Sequence, residues 1–322
     1  MLQDISYGSL DNQYRTCSPK EGDIMVCIKG KDILLRRDGE GLLHLPTWGE
    51  VSKWSEKWSP WFEEKTAFAF AMQDKDYFLY MGEAGEAEEG YVYEAAATLR
   101  DLRSKDVCFA CMTAWHIYCW YRANRFCGCC GEKTAHDPKE RMMRCPACGN
   151  MIFPRIAPAV IIGLVDGDRI LMSQYANRNY KRYALLAGFI EIGETAEEAV
   201  AREVMEEVGL KVKNIRYYKS QPWGIAGNLS LGYFCDLDGS DEIHLDENEL
   251  SMAGWYSRED FPAEDDGISL TREMMRLFAD GKEPKSQSKQ SNSWPRGRLY
   301  CCLARKRDIS NPAHHPLMKL FP

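Results

Sequence analysis

Apolar residues follow two different spacings along the chain, and together they predict a mixed α+β fold. Apolar runs bounded by Gly, Pro, Asp or Asn predict strands. These runs are residues 24–28, 33–35, 77–80, 91–93, 156–165, 170–173, 183–187, 212–218 and 229–236. Apolar residues three or four positions apart predict helices instead, over residues 95–102, 106–126, 195–208 and 269–279.

The helix predicted over 195–208 has clear signals at both ends. Thr195 followed by Glu198 is the pattern of a capping box, and Gly209 is typical of the position just after a helix. One face is apolar because an aliphatic residue recurs at every fourth position. The residues of this stripe are Ala196, Val200, Val204 and Val208.

A second face of the same helix is acidic. Glu203 and Glu207 lie four positions apart, and Glu206 lies on the flank. Arg202 is spaced to pair with Glu206. Carboxylates held close together repel one another, and a divalent cation between them removes that cost. Most acidic helix faces are simply solvated, but the neighbouring glycines, which let a backbone approach phosphates, favour a catalytic site here.

The stretch from Gly188 to Leu210 resembles the Nudix box, a spaced series of Gly, Glu, Arg-Glu, Glu-Glu and Gly residues with aliphatic positions between them. The matching residues are Gly188, Glu194, Arg202, Glu203, Val204, Glu206, Glu207, Gly209 and Leu210. The resemblance implies an α/β/α sandwich with a mixed sheet. It also implies a catalytic divalent metal, and oxygen ligands suit Mg²⁺ or Mn²⁺ better than zinc.

The resemblance further implies which residues hold the metal. These are Glu203, Glu207 and, from outside the box, Glu249, which precedes a Trp-Tyr pair as in the family. Glu247, two positions earlier, is the alternative to Glu249 as this metal ligand. The backbone carbonyl of Ala187 is a candidate further ligand.

The remaining box residues have implied supporting roles. Arg202 would orient the acids, and Glu194 would brace the loop before the helix. Either Glu206 or Glu249 would take the proton of the attacking water, and the sequence leaves both open.

Two C-x-x-C pairs, each followed by glycine, predict a structural zinc site ahead of the box. The predicted ligands are Cys127, Cys130, Cys145 and Cys148. A third pair, Cys108 and Cys111, competes with them, but it lacks the glycine and lies in a helical pattern. Cys129 is predicted to be a bystander. Four thiolates leave no open position on the zinc, so the site is predicted to be structural.

The tetrapeptide Ser220–Trp223 resembles the signature of NAD(H) pyrophosphatases and NAD-decapping hydrolases. The zinc ribbon is a second mark of this family, and the resemblance covers roughly residues 105–275. This chain departs from the family pattern at Ile225, where the family has a phenylalanine. The implied substrate-binding residues are Glu140, Phe153, Gln221, Pro222, Trp223, Gly224, Ile225, Ala226, Gly227 and Asn228.

The resemblance implies metal-dependent hydrolysis of the pyrophosphate of NAD(H) to AMP and nicotinamide mononucleotide, and removal of NAD caps from RNA. It also implies a homodimer. Two other interpretations stay open. Ile225 suggests a different substrate, such as ADP-ribose, FAD or a dinucleoside polyphosphate. The ribbon suggests a nucleic-acid-binding regulator that uses its Nudix domain to sense a ligand.

Composition narrows these interpretations. The 322-residue chain carries a net charge of −7, which disfavours a dominant nucleic-acid footprint. Thirteen cysteines, several of them in C-x-x-C pairs, indicate metal binding in a reducing compartment rather than disulfides. The first residues resemble no export signal, and no apolar run approaches the length of a membrane span. A cytoplasmic protein with no membrane association is therefore predicted.

Four segments are predicted along the chain. Residues 1–105 form a small α+β N-terminal domain, 106–155 a helix plus zinc ribbon, 156–280 the Nudix domain, and 281–322 a linker and tail. The tail holds nine Lys or Arg and two Asp or Glu. Such a basic segment can attract RNA, but a solvated extension is the favoured interpretation.

Overall fold

A computed structural model describes residues 1–5, 10–40, 42–53, 58, 66–82, 84–101, 104–176, 183–259 and 267–285. Within this part of the chain, Met1–Pro284 forms one compact unit. The tail predicted from residue 281 lies outside the described residues from position 286 onward. The division of the chain at residues 105, 155 and 280 stays a prediction.

In the described residues before position 96, the structure has seven strands and one short helix. They are β1 (Ile24–Val26), β2 (Ile28–Lys29), β3 (Asp32–Arg37), β4 (Leu43–His44), α1 (Trp48–Val51), β5 (Thr66–Met72), β6 (Lys75–Tyr80) and β7 (Tyr91–Ala95). One sheet has the order β1-β6-β5, and in a second sheet β3 pairs with β2, β4 and β7. The strands predicted from apolar runs are present, whereas β4 and β5 were not predicted.

Helix α2 (Lys105–Ala123) begins after Ser104, whose side chain accepts a hydrogen bond from the backbone N–H of Val107. Its apolar residues pack into the same core as β1, β3 and β5. Cys108 and Cys111 are fully buried in that core. The helix predicted over 95–102 is a 3-10 helix at Ala96–Asp101, with residue 102 outside the described part of the chain.

A small three-stranded antiparallel sheet follows α2. Its strands are β8 (Ala135–His136), β9 (Met143–Arg144) and β10 (Met151–Ile152), with β9 in the centre. The two C-x-x-C turns lie before β8 and between β9 and β10. This is the layout expected of a ribbon.

The largest sheet has six strands. They are β11 (Ala157–Asp166), β12 (Arg169–Tyr175), β13 (Leu186–Phe189), β14 (Val212–Trp223), β15 (Asn228–Leu237) and β16 (Leu250–Ser257). The order is β14-β15-β11-β12-β16, with β13 beside the first half of β11. Strands β11 and β15 run parallel while the other pairs are antiparallel, so the sheet is mixed.

Two helices cover opposite faces of this sheet. Helix α3 (Ala196–Val208) packs against Val160 and Ile162 of β11, whereas α4 (Leu270–Ala279) packs against Phe234 of β15. Side chains of a strand alternate between faces, so both helices can bury their apolar stripes on one sheet. The predicted α/β/α sandwich is therefore confirmed.

Strand β14 is longer than predicted. The prediction ended it at Tyr218, but its pairing with β15 continues through Trp223. Pro222 has no N–H to donate, and it is tolerated because β14 is an edge strand. Among the helices of the described residues, none has the length and apolar character needed to cross a membrane.

Candidate active site and zinc ribbon

Local sequence sets the ends of α3 as predicted. The Thr195 hydroxyl accepts from the Glu198 N–H at 3.2 Å, and the Glu198 carboxylate accepts from the Thr195 N–H at 2.8 Å. Gly209 ends the helix with φ +70°, a conformation that suits glycine. The helix therefore begins after Thr195 and ends at Gly209, so Glu203 and Glu207 both lie within it.

Arg202 joins three acidic side chains to the loop before the helix. Its Nε and one Nη2 proton bind Glu194 at 2.7 and 2.9 Å, and Nη1 donates to Glu203 at 2.7 Å and Glu206 at 2.9 Å. The second Nη2 proton goes to the Phe189 carbonyl at 2.9 Å. A guanidinium has five N–H donors, so every donor of Arg202 is in use.

Glu194 is fixed by two kinds of donor. Besides Arg202, the backbone N–H of Glu191 donates to its carboxylate at 3.0 Å. The Arg202 guanidinium and this N–H lower the pKa of Glu194 to about 2. Glu194 therefore stays ionised and holds the loop between β13 and α3, the bracing role predicted for it.

The Glu203 carboxylate lies directly against the backbone of Gly188. A Cβ atom at position 188 would overlap that carboxylate, so the close approach requires glycine. Burial raises the pKa of Glu203, while the bond to Arg202 opposes this shift. The glycine of the box thus serves the contact between β13 and α3.

Glu207 is the most buried acid of the site, with 2% of its surface exposed. Burial, followed by the charges of Glu203 and Glu249, raises the pKa of Glu207 to about 8. The Ala187 N–H donates to this carboxylate, but Glu207 Oε2 is buried and has no hydrogen-bond partner. Since Arg202 has no donor left, an external cation is the group that fits here.

Glu249 reaches the site because its loop is hydrogen-bonded to the end of α3. The His244 N–H donates to the Val208 carbonyl at 3.0 Å, and the Asp246 N–H donates to the Glu207 carbonyl at 3.0 Å. The charge of Glu249 acts on both Glu203 and Glu207. We refer to Glu203, Glu206, Glu207 and Glu249 as the acidic cluster.

The acidic cluster suits a hard divalent cation. It offers carboxylate oxygens and one orphaned buried oxygen, which are Mg²⁺-type or Mn²⁺-type ligands. Such ions retain waters and substrate oxygens, so their protein ligands can be spaced more widely than those of a closed zinc site. Ala187 lies beside Glu207 through its N–H, and a ligand role for its carbonyl stays a prediction.

The four predicted zinc ligands converge. The sulfur atoms of Cys127, Cys130, Cys145 and Cys148 all lie within 4.8 Å of one another. The Cys127–Cys148 and Cys130–Cys145 pairs are 3.7 and 3.4 Å apart. A tetrahedral zinc with Zn–S bonds near 2.3 Å separates its sulfurs by about 3.8 Å, so the cluster fits one zinc ion. Cys129 lies outside this group.

Backbone amides of the first knuckle face its sulfur. The N–H groups of Cys129 and Cys130 lower the pKa of Cys127 to about 6, which favours the thiolate that zinc requires. Gly131 and Gly149 have φ values of +81° and +77°, so each knuckle closes with a left-handed glycine. This explains the glycine after each C-x-x-C pair.

Gln221 is buried and hydrogen-bonded within the protein, unlike a side chain that is free to contact a ligand. Its side chain is 2% exposed, donates to the Ile268 carbonyl at 2.7 Å and accepts from the Leu270 N–H at 2.7 Å. It also donates to the side chain of Gln3 at 3.2 Å. These bonds fix the start of α4 to β14, so Gln221 has a structural contact, and its predicted role in binding stays a prediction.

The rest of the tetrapeptide leads into a tight hairpin against α2. Gly224 is buried so closely against the Met112 carbonyl that a Cβ would overlap it, and Gly227 has φ +69°. Ile225 is half-buried against the core that contains α2. Asn228 Oδ1 is buried without a partner. Pro222 and Ala226 are exposed, and Trp223 is half-buried.

Glu140 and Phe153 lie on the ribbon. Glu140 is exposed, and the Phe153 ring is 45% exposed. Within the described residues, no hydrogen bond or ion pair joins either residue to the acidic cluster. Their predicted substrate contacts stay predictions.

The sequence reasoning did not single out Phe189. It follows Gly188, its carbonyl accepts from Arg202, and its ring is 53% exposed. The ring therefore lies at the surface rather than in the core. The sequence pattern did not predict that the Phe189 ring is exposed, because an apolar residue at the end of a strand is normally buried.

Replacement of a ribbon cysteine should remove the zinc. We expect Cys145→Ser to lose about one zinc per chain and to lower the melting temperature, because a closed zinc site contributes directly to folding. Metal analysis of the purified protein measures this. Cys129→Ser is the matched control and should retain zinc. Zinc retained by Cys145→Ser but lost by Cys108→Ser would contradict the assignment.

The titration of Glu207 should make stability depend on pH. Its pKa in the fold is about 8, above the ordinary 4.5, so the native state holds a proton that the unfolded state has released between these values. Stability therefore falls as pH rises through this window. In buffer without added Mg²⁺ or Mn²⁺, we expect Glu207→Gln to flatten the fall in melting temperature between pH 5 and about pH 8.

Glu206→Gln is the control for that experiment, because Glu206 is exposed. It should show the same pH dependence as the native protein. Added Mg²⁺ or Mn²⁺ should restore the melting temperature of the native protein at the upper end of the window. Identical pH profiles for native and Glu207→Gln proteins would contradict a buried, proton-binding Glu207.

Two family models match the chain. The NUDIX domain matches residues 155–278, and the NADH pyrophosphatase zinc ribbon domain matches residues 122–153. The two matches adjoin, and they include the acidic cluster and all four clustered cysteines.

Curated relatives match over 143 residues. The chain is 44% identical to the NAD-capped RNA hydrolase NudC of Citrobacter koseri, over 44% of this chain and 55% of the relative. It is 43% identical to the protein of the same name from Escherichia coli, with the same coverage. The chain thus spans about half the length of the curated relatives it matches.

Solved structures match with lower similarity. A NUDIX hydrolase from Nitrosomonas europaea is 22% identical, with a TM-score of 0.39 over 43% of this chain and 80% of that chain. A NUDIX family hydrolase from Clostridium perfringens is 23% identical, with a TM-score of 0.31 over 40% of this chain and 99% of that chain. Residues 122–153 are thus similar to the NADH pyrophosphatase zinc ribbon domain and residues 155–278 to the NUDIX domain, and both segments lie in the part of the chain that the two family models match.

Proposed function

We propose that the chain hydrolyses the pyrophosphate of NAD(H) to AMP and NMN(H), and that the same cleavage removes NAD caps from RNA. The observation that carries the proposal is the buried Glu207 carboxylate, with one oxygen unpartnered and every donor of Arg202 engaged elsewhere. A site of this kind needs a cation. The curated relatives, named NAD-capped RNA hydrolases, support the choice of substrate.

Glu203, Glu207 and Glu249 would hold Mg²⁺ or Mn²⁺, with the Ala187 carbonyl as a further ligand. When bound, such an ion screens the negative charge of a pyrophosphate and polarises the attacked phosphorus. The charges of Glu203 and Glu249 both act on Glu207, which supports this set of three. Among the acids, Glu203 and Glu249 raise the pKa of Glu207 most, ahead of Asp246.

The chain's own residues would orient the reactants. Arg202 fixes Glu203 and Glu206 relative to the loop, so it is a positioning residue. Water attacks one phosphorus, the bond from that phosphorus to the bridging oxygen breaks, and the other mononucleotide leaves as a phosphate. A carboxylate takes the proton of the water.

Glu249 is the better candidate for this proton acceptor. The Glu206 carboxylate is engaged by Arg202 at 2.9 Å. The Glu249 side chain is exposed and has no hydrogen bond or ion pair among the described residues. One of its oxygens could therefore bind the metal while the other accepts from a water.

The base-binding residues would come from the hairpin and the ribbon. We assign this role to Glu140, Phe153 and residues 221–228. The unpartnered Oδ1 of Asn228 supports a polar contact from the hairpin, whereas Gln221 would act by fixing the hairpin to α4. Exposed Phe189 is a further ring for a base to stack against.

A homodimer would complete this site. The segment that leads from the ribbon into β11 exposes three apolar side chains, Met151, Phe153 and Ile156. Contiguous exposed apolar residues are typical of an interface. We also propose a reducing, cytoplasmic compartment, because the described cysteines are free thiols or zinc ligands.

Ile225 favours one alternative. Half-buried against the core, it offers no ring to a nicotinamide, so another dinucleotide such as ADP-ribose, FAD or a dinucleoside polyphosphate is the second candidate substrate. A nucleic-acid-binding regulator without turnover is the third interpretation, and an intact acidic cluster disfavours it.

Product analysis tests the proposed reaction. The purified protein with Mg²⁺ or Mn²⁺ should convert NADH to AMP and NMNH, and NAD-capped RNA to RNA with a 5′-monophosphate end. Comparison of kcat/KM with ADP-ribose, FAD and a dinucleoside polyphosphate ranks the substrates. Release of nicotinamide plus ADP-ribose would refute the proposal, since that cleavage breaks the glycosidic bond.

The acidic cluster can be tested by isosteric substitution. We expect Glu207→Gln to lower kcat by about 10³-fold or more, because it removes a charge that holds the cation while preserving shape. Circular dichroism should confirm that the fold survives. Glu247→Gln is the matched control and should retain activity within a few-fold. A loss below tenfold for Glu207→Gln would exclude Glu207 from the metal site.

A further inference from the structure

A cavity of about 390 Å³ lies apart from the acidic cluster, between α2, the N-terminal segment, the start of β11 and the 224–227 hairpin. Its walls are largely apolar and include Leu10, Phe109, Met112, Ile117 and Pro222. Cavities of this size and character hold small organic molecules in many proteins.

Two polar atoms of the cavity walls have no partner. Trp120 Nε1 and Arg141 Nη1 are both buried, and neither makes a hydrogen bond. A buried donor left unpaired costs about 1–3 kcal/mol, more where it is charged. Both groups are donors, so they call for an acceptor, and a buried guanidinium calls for a negatively charged one.

The charges around the cavity have one sign. Arg141, Arg155 and His116 line the cavity. Among the residues that the structure describes, no Asp or Glu lines it. Arg141 lies over the Tyr14 ring at 5.7 Å and donates to the Asn12 carbonyl, so its remaining contacts are uncharged. Burial lowers the pKa of Arg141.

We propose that this cavity binds a small organic anion, namely a carboxylate on an aromatic or branched apolar body. The carboxylate would accept from Arg141 Nη1 and Trp120 Nε1, and the apolar body would fill the space beside Phe109, Met112 and Ile117. The acidic cluster offers carboxylates for a divalent cation, whereas the cavity offers N–H donors, so the two sites differ in the groups they attract.

The cavity also borders the proposed substrate hairpin. Pro222 and Gly224 form part of its wall, and the Gly224 backbone rests on the Met112 carbonyl of α2. His116 Nε2 makes a hydrogen bond with the Arg155 carbonyl at 3.0 Å and ties α2 to the strand entry on the same side. An occupant would therefore brace the hairpin from the face opposite the solvent.

A pair of fluorescent probes tests the proposal with the full chain. The first is 8-anilinonaphthalene-1-sulfonate, and the second is N-phenyl-1-naphthylamine, which has the same rings and no charge. We expect one saturable site per chain for the anionic probe, displaced by 2-naphthoate. Arg141→Met should weaken anionic-probe binding at least about tenfold and leave the neutral probe within about twofold.

Three further variants keep the test decisive. Trp120→Phe keeps an aromatic ring at this position but removes the indole N–H donor. It should weaken binding of the anionic probe several-fold. Ile117→Trp should fill the cavity and abolish binding of both probes. Arg125→Gln, an exposed arginine outside the cavity, should change nothing. Zinc content and melting temperature verify that each variant is folded.

Two results would overturn the proposal. Equal affinity of native, Arg141→Met and Trp120→Phe proteins for the anionic probe would mean that the unpaired donors do not receive it. Competitive displacement of the probe by AMP or NMN would mean that the cavity is a subsite for the dinucleotide. The measurement needs no turnover, so it stands whether or not NADH is cleaved.

Discussion

Burial of the Glu207 carboxylate beneath the β13–α3 contact is the constraint on which the rest of the site depends. A carboxylate with 2% exposure needs donors or a cation, and the chain supplies the Ala187 N–H and leaves Oε2 without a partner. Within the described residues, Arg202 is the one cation joined to this cluster by ion pairs. Its five N–H groups donate to acceptors other than Glu207. The fold thus gives Oε2 no N–H donor, and without a cation burial keeps a proton on Glu207 up to its pKa of about 8, so burying this acid is the reverse of what stability alone would favour.

The four ribbon cysteines and the acidic cluster differ in how completely they can surround a metal ion. In the ribbon, four sulfurs within 4.8 Å of one another can complete a tetrahedron, and knuckle amides favour the thiolates. Such a site leaves no position for a substrate. In the acidic cluster, Glu249 is exposed and Glu207 is buried, so the carboxylates would hold an ion from one side only. The other side would stay open for the pyrophosphate of the proposed reaction.

Local signals predicted α3, its caps, the Arg202–Glu206 pair and the four cysteines, because each depends on residues a few positions apart. Features that depend on distant packing were missed or left open. The hydrogen bonds from His244 and Asp246 to the end of α3 bring Glu249 into place across about forty residues, and no periodicity encodes them. Gln221 matched a binding signature, yet β14 turns its amide inward to Leu270. The ring of Phe189 is exposed although its position in the strand predicts burial.

The position of Ile225 follows from the same packing. Gly224 sits against the Met112 carbonyl with no room for a Cβ, so the next side chain of the hairpin packs on the core that contains α2. An aliphatic residue fits that half-buried place, and burial of its methyl groups stabilises the hairpin. A ring for base stacking would then have to come from elsewhere. The rings of Phe189 in β13 and of Phe153 beside the ribbon are both exposed by about half, so the chain retains two aromatic surfaces while the hairpin is anchored to α2.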